Sequence, residues 1–267
     1  MANFSGKLNT IAKNTDLYLK HVFSKQDSKS YLIEPMKYGV FSGGKRFRSA
    51  IVVNTGKIFG IDYKKLIIIG AAVECLHSYS LMHDDLPSMD DDDLRRGRPS
   101  THKKFNEFTA ILAGNSLLTL AFGILSSSDL KVSQEIKTEL IRTLSNCSGH
   151  SGLAGGQYSD LTFENKNISK KKIIDMQKKK TGELFGFCCE STAVLKEENI
   201  KKRKLLREIG LQIGLLFQIV DDLIDYKGDS AIVGKPTKSD QKKGKATLIN
   251  LLGYRDTLNF AKTLKKK

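Results

Sequence analysis

The chain has 267 residues, 40% of them hydrophobic and 27% charged, which excludes a disordered chain and leaves ample length for a sizeable core. Lys+Arg 44 against Asp+Glu 29 gives a net charge of +15. The lysines fall in scattered runs such as Lys170-Lys171-Lys172 and Lys201-Lys202-Arg203-Lys204, so they read as solvated helix faces with a modest anion preference and not as a nucleic-acid stripe.

In chain order, Met1–Lys7 lacks the apolar stretch of a signal peptide. Apolar spacing at Leu8, Ile11, Leu17, Leu19 and Val22 predicts a helix over residues 8–25. A second is predicted over 29–41, interrupted by Ser42-Gly43-Gly44. From Tyr63 to about Asp85 runs a long, strongly apolar helix of the kind that sits at the centre of a bundle, its end disturbed by Pro87. Helices follow over 105–127, 130–146 and 170–194, the last with Ser169 as N-cap. Another covers 200–226, ending at Gly228, and the last covers 247–265. The apolar runs Leu66–Leu76 and Ile111–Leu125 contain Glu74 and Asn115 and are expected to be too short to span a bilayer. Cys75, Cys147, Cys188 and Cys189 form no CxxC pair or metal spacing, which fits a reducing cytoplasm. With only 4 prolines and no period-2 pattern, the expected fold is all-α, a single-domain bundle of long antiparallel helices.

Two acidic clusters close two of these apolar helices. Six of the ten residues from Asp84 to Asp93 are aspartate, and Asp221-Asp222-Leu223-Ile224-Asp225 ends the 200–226 helix. Residues i and i+4 share a helix face, so Asp221 and Asp225 point the same way with Asp222 beside them. A helix C-terminus is already the negative end of the dipole. Stacked carboxylates there call for a divalent cation, and an all-oxygen ligand set suits Mg²⁺, Mn²⁺ or Ca²⁺ rather than Zn²⁺. Two such clusters facing each other would clamp one phosphorylated substrate. Gly43-Gly44-Lys45-Arg46-Phe47-Arg48 is no P-loop, but flexible backbone opening a basic segment suits a phosphate. Arg95 and Arg96 add two guanidiniums able to bind phosphate bidentately.

These residues together resemble the trans-isoprenyl diphosphate synthases (polyprenyl synthetases), specifically the bacterial farnesyl diphosphate synthase type, from about Tyr31 to Leu252. DDxxxxD followed by DDLRRG stands as Asp84-Asp85, Asp90 and Asp92–Gly97, and DDxxD stands as Asp221, Asp222 and Asp225. Gly43–Arg48 is the GGKRxR segment, Gly155–Leu161 resembles GGQxxDL, and Lys180-Thr181-Gly182 resembles the KTG segment. Lys235 and Lys245 fall where the family carries lysines after the second motif. Asn115 and Leu153 replace a common Asp and Met.

The resemblance implies an isoprenoid synthase fold, helices around a central cavity, over residues 1–267 with a shortened C-terminal helix. It implies Mg²⁺, two to three ions per site with Mn²⁺ as a substitute, on Asp84, Asp85, Asp90, Asp221, Asp222 and Asp225. Arg95, Lys180, Lys235 and Lys245 would contact an allylic diphosphate, and Lys45, Arg48, His77 and Arg96 the diphosphate of isopentenyl diphosphate. Thr181 and Gln218 would lie near the developing allylic cation. His83, next to Asp84, is read not as a metal ligand but as a residue supporting the ligands or as a structural one. The implied partners are prenyl diphosphates and a second copy of the chain, with neither nucleic acid nor stable membrane insertion.

The implied reaction joins isopentenyl diphosphate head to tail with dimethylallyl and then geranyl diphosphate. Tyr79 lies five residues before Asp84, about 7.5 Å along the helix axis. A ring there, with Ser80 beside it, would floor the pocket for the growing chain and stop it at C15, (E,E)-farnesyl diphosphate. The alternatives are a C20 synthase, a non-catalytic prenyl-diphosphate-binding homologue, a terpene cyclase and a basic RNA-binding protein. The two complete Asp motifs and GGKRxR favour chain elongation.

Overall fold

The computed structural model describes residues 4–27, 29–227 and 243–266. The helices are α1 (Phe4–Ser24), α2 (Ile33–Val40), α3 (Phe47–Ile58), α4 (Tyr63–Asp84), α5 (Thr101–Lys104), α6 (Glu107–Ser126), α7 (Gln134–Ser148), α8 (Leu153–Thr162), α9 (Lys170–Gln177), α10 (Glu183–Leu195), α11 (Ile200–Lys227), α12 (Leu248–Leu252) and α13 (Tyr254–Lys266). A π-helical turn, Lys178–Gly182, joins α9 to α10. A two-residue hairpin, β1 (Leu94–Arg95) with β2 (Arg98–Pro99), is the only sheet among the described residues, so the all-α expectation holds. The chain divides into two compact units, Met1–Arg142 with Ser191–Asn199, and Thr143–Glu190 with Ile200–Lys267.

In the first unit α4 packs against α1, α3 and α6. Asp62 starts α4 by accepting hydrogen bonds from the backbone N–H groups of Lys64 and Lys65 at 3.0 and 3.2 Å. Leu66, Ile69, Ala71, Ala72, Val73 and Leu76 are then wholly enclosed, as an all-round apolar helix requires. The charge inside this run, Glu74, is answered from α3: Ser49 N–H donates to it at 3.1 Å, and Arg46 Nη1 lies 3.6 Å away. Paired in this way, Glu74 does not interrupt the helix.

By length and composition alone α4 and α6, each longer than the apolar run it contains, would be long and apolar enough to cross a membrane, a test that the core helix of a soluble protein also passes. Most of the α4 apolar window is buried inside the protein; the α6 window is only 39% buried.

In the second unit Leu215, Ile219 and Leu223 of α11 pack with Ile173 of α9, Leu248 and Ile249 of α12, and Ala261 of α13. Each fully buried aliphatic side chain contributes about 1.5–3 kcal/mol. The sequence left α3, α5 and the β1–β2 hairpin unannounced, and three further features of the fold. α8 forms over a glycine-rich stretch whose intrinsic helix propensity is poor. The expected 170–194 helix contains the π turn, with Ser169 at its N-cap position but making no side-chain cap bond. The expected 247–265 helix breaks at Gly253, which adopts φ +79°. Gly228 lies outside the described residues.

Candidate active site

The first aspartate cluster is built by backbone turns at the end of α4. Asp90 N–H donates to the Asp84 carbonyl at 2.9 Å, and Asp92 N–H to the Asp85 carbonyl at 3.2 Å. The chain thus doubles back, bringing Asp84 and Asp90 to the same helix end. Asp85 turns inward and is 2% exposed. Both Nε and Nη2 of Arg95 donate to its Oδ1, and Nη2 also reaches Asp92 Oδ2 at 3.2 Å. Burial pushes the Asp85 carboxyl above the usual carboxylate range, and Arg95 pulls it part of the way back. The structure therefore places Asp85 and Arg95, expected at the metal and the allylic diphosphate respectively, as an ion pair with each other.

Arg96 and Gly97 form the hairpin loop at φ 54° and 74°, the left-handed pair of a two-residue turn. That turn sends the Arg96 guanidinium to the glycine loop, where Nη1 donates to the Gly43 carbonyl and, at 3.3 Å, to Ser42 Oγ. Gly44 has φ +118°, and a β-carbon on it would fall 2.8 Å from the Arg96 guanidinium. The two basic motifs, far apart in sequence, share one small space.

Arg46 is the inward member of the loop. It is 4% exposed, and it donates to Asp16 Oδ1 at 2.8 Å and to the Val40 carbonyl at 2.6 Å. Lys45 is exposed and Arg48 partly so. His77 lies on α4 among these groups. Burial first, then the positive charges of Arg48, Arg96, Arg46 and Arg95, hold its imidazole well below the ordinary histidine range. Arg48 and Arg96 thus lie close enough to His77 to keep its imidazole neutral.

Tyr79 is partly buried and meets His83 edge-on, ring centroids 4.9 Å apart at 77°. His83 Nε2 is hydrogen-bonded with the Ile111 carbonyl at 3.0 Å, and its ring fills the space beside Gly114. Ser80 donates to the His77 carbonyl at 2.9 Å. Asp91, Asp93 and His102 bring ligand atoms within 4.8 Å of one another, a grouping outside the expected ligand set. Asp93 is paired there with Lys103 at 2.9 Å.

In the second unit, burial groups Asp222 with Asp225, each 4% exposed, and leaves Asp221 on the solvent side of α11. The i, i+4 pairing of Asp221 with Asp225 holds in spacing but not in burial, because the buried stripe through Leu215, Ile219 and Leu223 takes in Asp222 and Asp225. Both oxygens of Asp222 accept amide hydrogen bonds, from Gln218 Nε2 at 2.8 Å and Gln177 Nε2 at 2.9 Å. Thr181 Oγ1 donates to Gln218 Oε1 at 2.7 Å. The expected pair Thr181 and Gln218 is therefore wired into the second aspartate motif.

Two residues of the second unit, Gln177 and Asp160, carried no expected role. Gln177 stands one residue before the π turn, and nothing in its neighbours distinguishes it. Asp160 is the acid of GGQxxDL and accepts from both Lys180 and Lys245. Gly156 lets this happen: a β-carbon there would sit 2.1 Å from the Lys180 backbone nitrogen, so α8 lies directly against the π turn. Lys235 lies outside the described residues.

A sequence model of the polyprenyl synthetase family matches residues 29–267. The farnesyl diphosphate synthase of Escherichia coli strain K12 is 43% identical over 87% of this chain and 79% of its own length. An FPP/GFPP synthase structure from Zymomonas mobilis covers 98% of this chain and 89% of its own, at TM-score 0.84 and 37% identity. A Helicobacter pylori geranyltransferase structure, complexed with magnesium and isoprenyl diphosphate, covers 100% of this chain and 89% of its own, at TM-score 0.87 and 33% identity. The motifs, the helical architecture and these likenesses agree over nearly the whole chain, and the chain belongs to the polyprenyl synthetase family.

Proposed function

We infer that this protein is a prenyltransferase of the farnesyl diphosphate synthase type, condensing isopentenyl diphosphate with dimethylallyl and then geranyl diphosphate to give (E,E)-farnesyl diphosphate. The observation that carries this reading is on α4. His77 sits among Arg48 and Arg96, and two turns further on the helix ends in Asp84 with Asp90 folded back to it. One helix thus presents an anion-binding group and a cation-binding group at a spacing suited to two diphosphates.

In this reading Lys45, Arg48, His77 and Arg96 hold the diphosphate of isopentenyl diphosphate. Neutral His77 donates one N–H without adding charge. Arg95, Lys180, Lys235 and Lys245 contact the allylic diphosphate. The aspartates of both motifs offer only carboxylate oxygens, which fits Mg²⁺, two to three ions per site, with Mn²⁺ as a substitute. Bound there, Mg²⁺ would supply charge neutralisation of the leaving diphosphate.

The allylic C–O bond breaks and its electron pair leaves with diphosphate. The double bond of isopentenyl diphosphate attacks the resulting cation. A proton then passes from the new carbon skeleton to the released diphosphate. Thr181 and Gln218 present oxygen atoms suited to stabilising that cation, and no side-chain nucleophile is needed.

The single-domain organisation, a cytoplasmic location and a homodimer belong to the same reading. All four cysteines are buried and none is in a disulfide, in keeping with a reducing compartment. On α6 Phe108, Ile111 and Leu112 stand exposed at i, i+3, i+4 spacing, an apolar stripe that a second copy would cover. Diphosphate release tests the reaction class. It should require the allylic and isopentenyl substrates together; release from the allylic substrate alone would indicate a cyclase or a hydrolase instead.

A further inference from the structure

Lys180 and Lys245, on separate elements of the second unit, close on one atom. Oδ2 of Asp160 accepts from Lys180 Nζ at 2.7 Å and from Lys245 Nζ at 3.0 Å. Asp160 and Lys245 are each 7% exposed. Lys245 Nζ is also 2.8 Å from Glu164. Burial alone would push the Asp160 carboxyl up, yet it lies below the usual range because the two ammonium groups outweigh desolvation. The arrangement rests on backbone as well as on side chains. Gly156 brings α8 against the π turn at Lys180, and Asp160 is the next turn of α8. Around Lys245, Asn165 N–H donates to the Gly244 carbonyl at 2.9 Å, and Asn250 Nδ2 to the Lys245 carbonyl at 2.7 Å. The protein therefore spends a buried carboxylate, two backbone contacts and a π turn on fixing two flexible cations at one point.

We propose that Asp160 is a positioning residue for the allylic diphosphate: it holds the Lys180 and Lys245 ammonium groups together in the orientation from which they engage the substrate. The proposal rests on the functional reading above, in which those lysines contact that diphosphate. A free lysine must give up rotamer freedom when it binds an anion. A pair already fixed by Asp160 loses less, and the surrounding low dielectric strengthens what it then gains. Removing the carboxylate raises the local positive charge, which by Coulomb's law alone would favour an anion. Positioning and simple charge therefore predict opposite signs.

The test measures KM for dimethylallyl and for isopentenyl diphosphate separately, first on the unaltered protein. No turnover by that protein overturns the functional reading, and this proposal with it. If it turns over, Asp160→Asn should raise the allylic KM about tenfold and leave the isopentenyl KM within about twofold. In a Lys180→Gln background the same change should add less than about threefold, because Asp160 acts through the lysine. A second variant guards against poor folding of the first. Asp160→Glu keeps the charge and displaces it by one methylene, and should raise the allylic KM by about threefold or more with the melting temperature little changed. An allylic KM that is unchanged or lower in both variants, or one that rises equally for both substrates, overturns the proposal while leaving the reaction intact.

Discussion

The Arg96 guanidinium fills the space that a β-carbon on Gly44 would enter, 2.8 Å from it, so the glycine loop and the arginine after the first aspartate motif are one structural unit. Gly44 is also at φ +118°, where an alanine is strained by about 1 kcal/mol. Gly44→Ala should therefore lower the melting temperature by roughly 2–4 °C. Its larger effect should fall on substrate binding, with KM for isopentenyl diphosphate raised about tenfold and kcat changed less. Steady-state kinetics with the allylic substrate saturating checks this, and an unchanged KM would separate the loop from that diphosphate.

Tyr79 is held by an edge-on contact with His83, one turn before the aspartates. If its ring ends the pocket, Tyr79→Ala should extend the product to C20 or longer. Chromatography of the product distribution decides the matter. A product still confined to C15 would move the chain-length determinant elsewhere.

His77 makes stability depend on pH in a defined direction. Its folded pKa lies well below 6.5 and its unfolded value near 6.5, so the unfolded chain binds the extra proton. Stability is then fully present above about pH 6.5 and falls as the pH drops below it, by up to about 1.4 kcal/mol per unit until the folded pKa is reached. Urea midpoints at pH 7.5 and 5.5 for the protein and for His77→Gln give the contribution as a difference. The variant should lose less stability on acidification; equal losses would place the proton uptake on other groups.

Gln177 donates to Asp222 from a buried position, 3% exposed. Gln177→Leu leaves a buried carboxylate oxygen one donor short, which costs about 1–3 kcal/mol. Both the urea midpoint and kcat should fall, because Asp222 belongs to the second aspartate motif. A variant within about 0.5 kcal/mol of the original would mean that water replaces the amide.

The residue types of the site were readable from residue order, and the contacts between residues distant in the chain were not. α4 announced itself because a long, strongly apolar run has few solutions, and the aspartates at its end are costly without a cation. Arg96 and the glycine loop could be matched to phosphate chemistry by residue type, but their sharing of one space comes from a left-handed turn at Arg96-Gly97 that spacing does not reveal. The π turn at Lys178–Gly182 looks like ordinary helix in the sequence, since it departs only in its hydrogen-bond register. Gln177 and Asp160 went unassigned for the same reason: each acts through contacts with residues distant in the chain. The charge at Glu74 read as a break in an apolar run, and its long-range partner Arg46 makes it part of the core.

The central claim is Mg²⁺-dependent elongation to C15. The measurement that tests it most directly is product chromatography after incubation with dimethylallyl and isopentenyl diphosphates, with Mg²⁺ and with a chelator. The account predicts a C15 prenyl diphosphate with the metal and no product without it. A folded protein that yields no prenyl product under either condition, or the same yield under both, would contradict it.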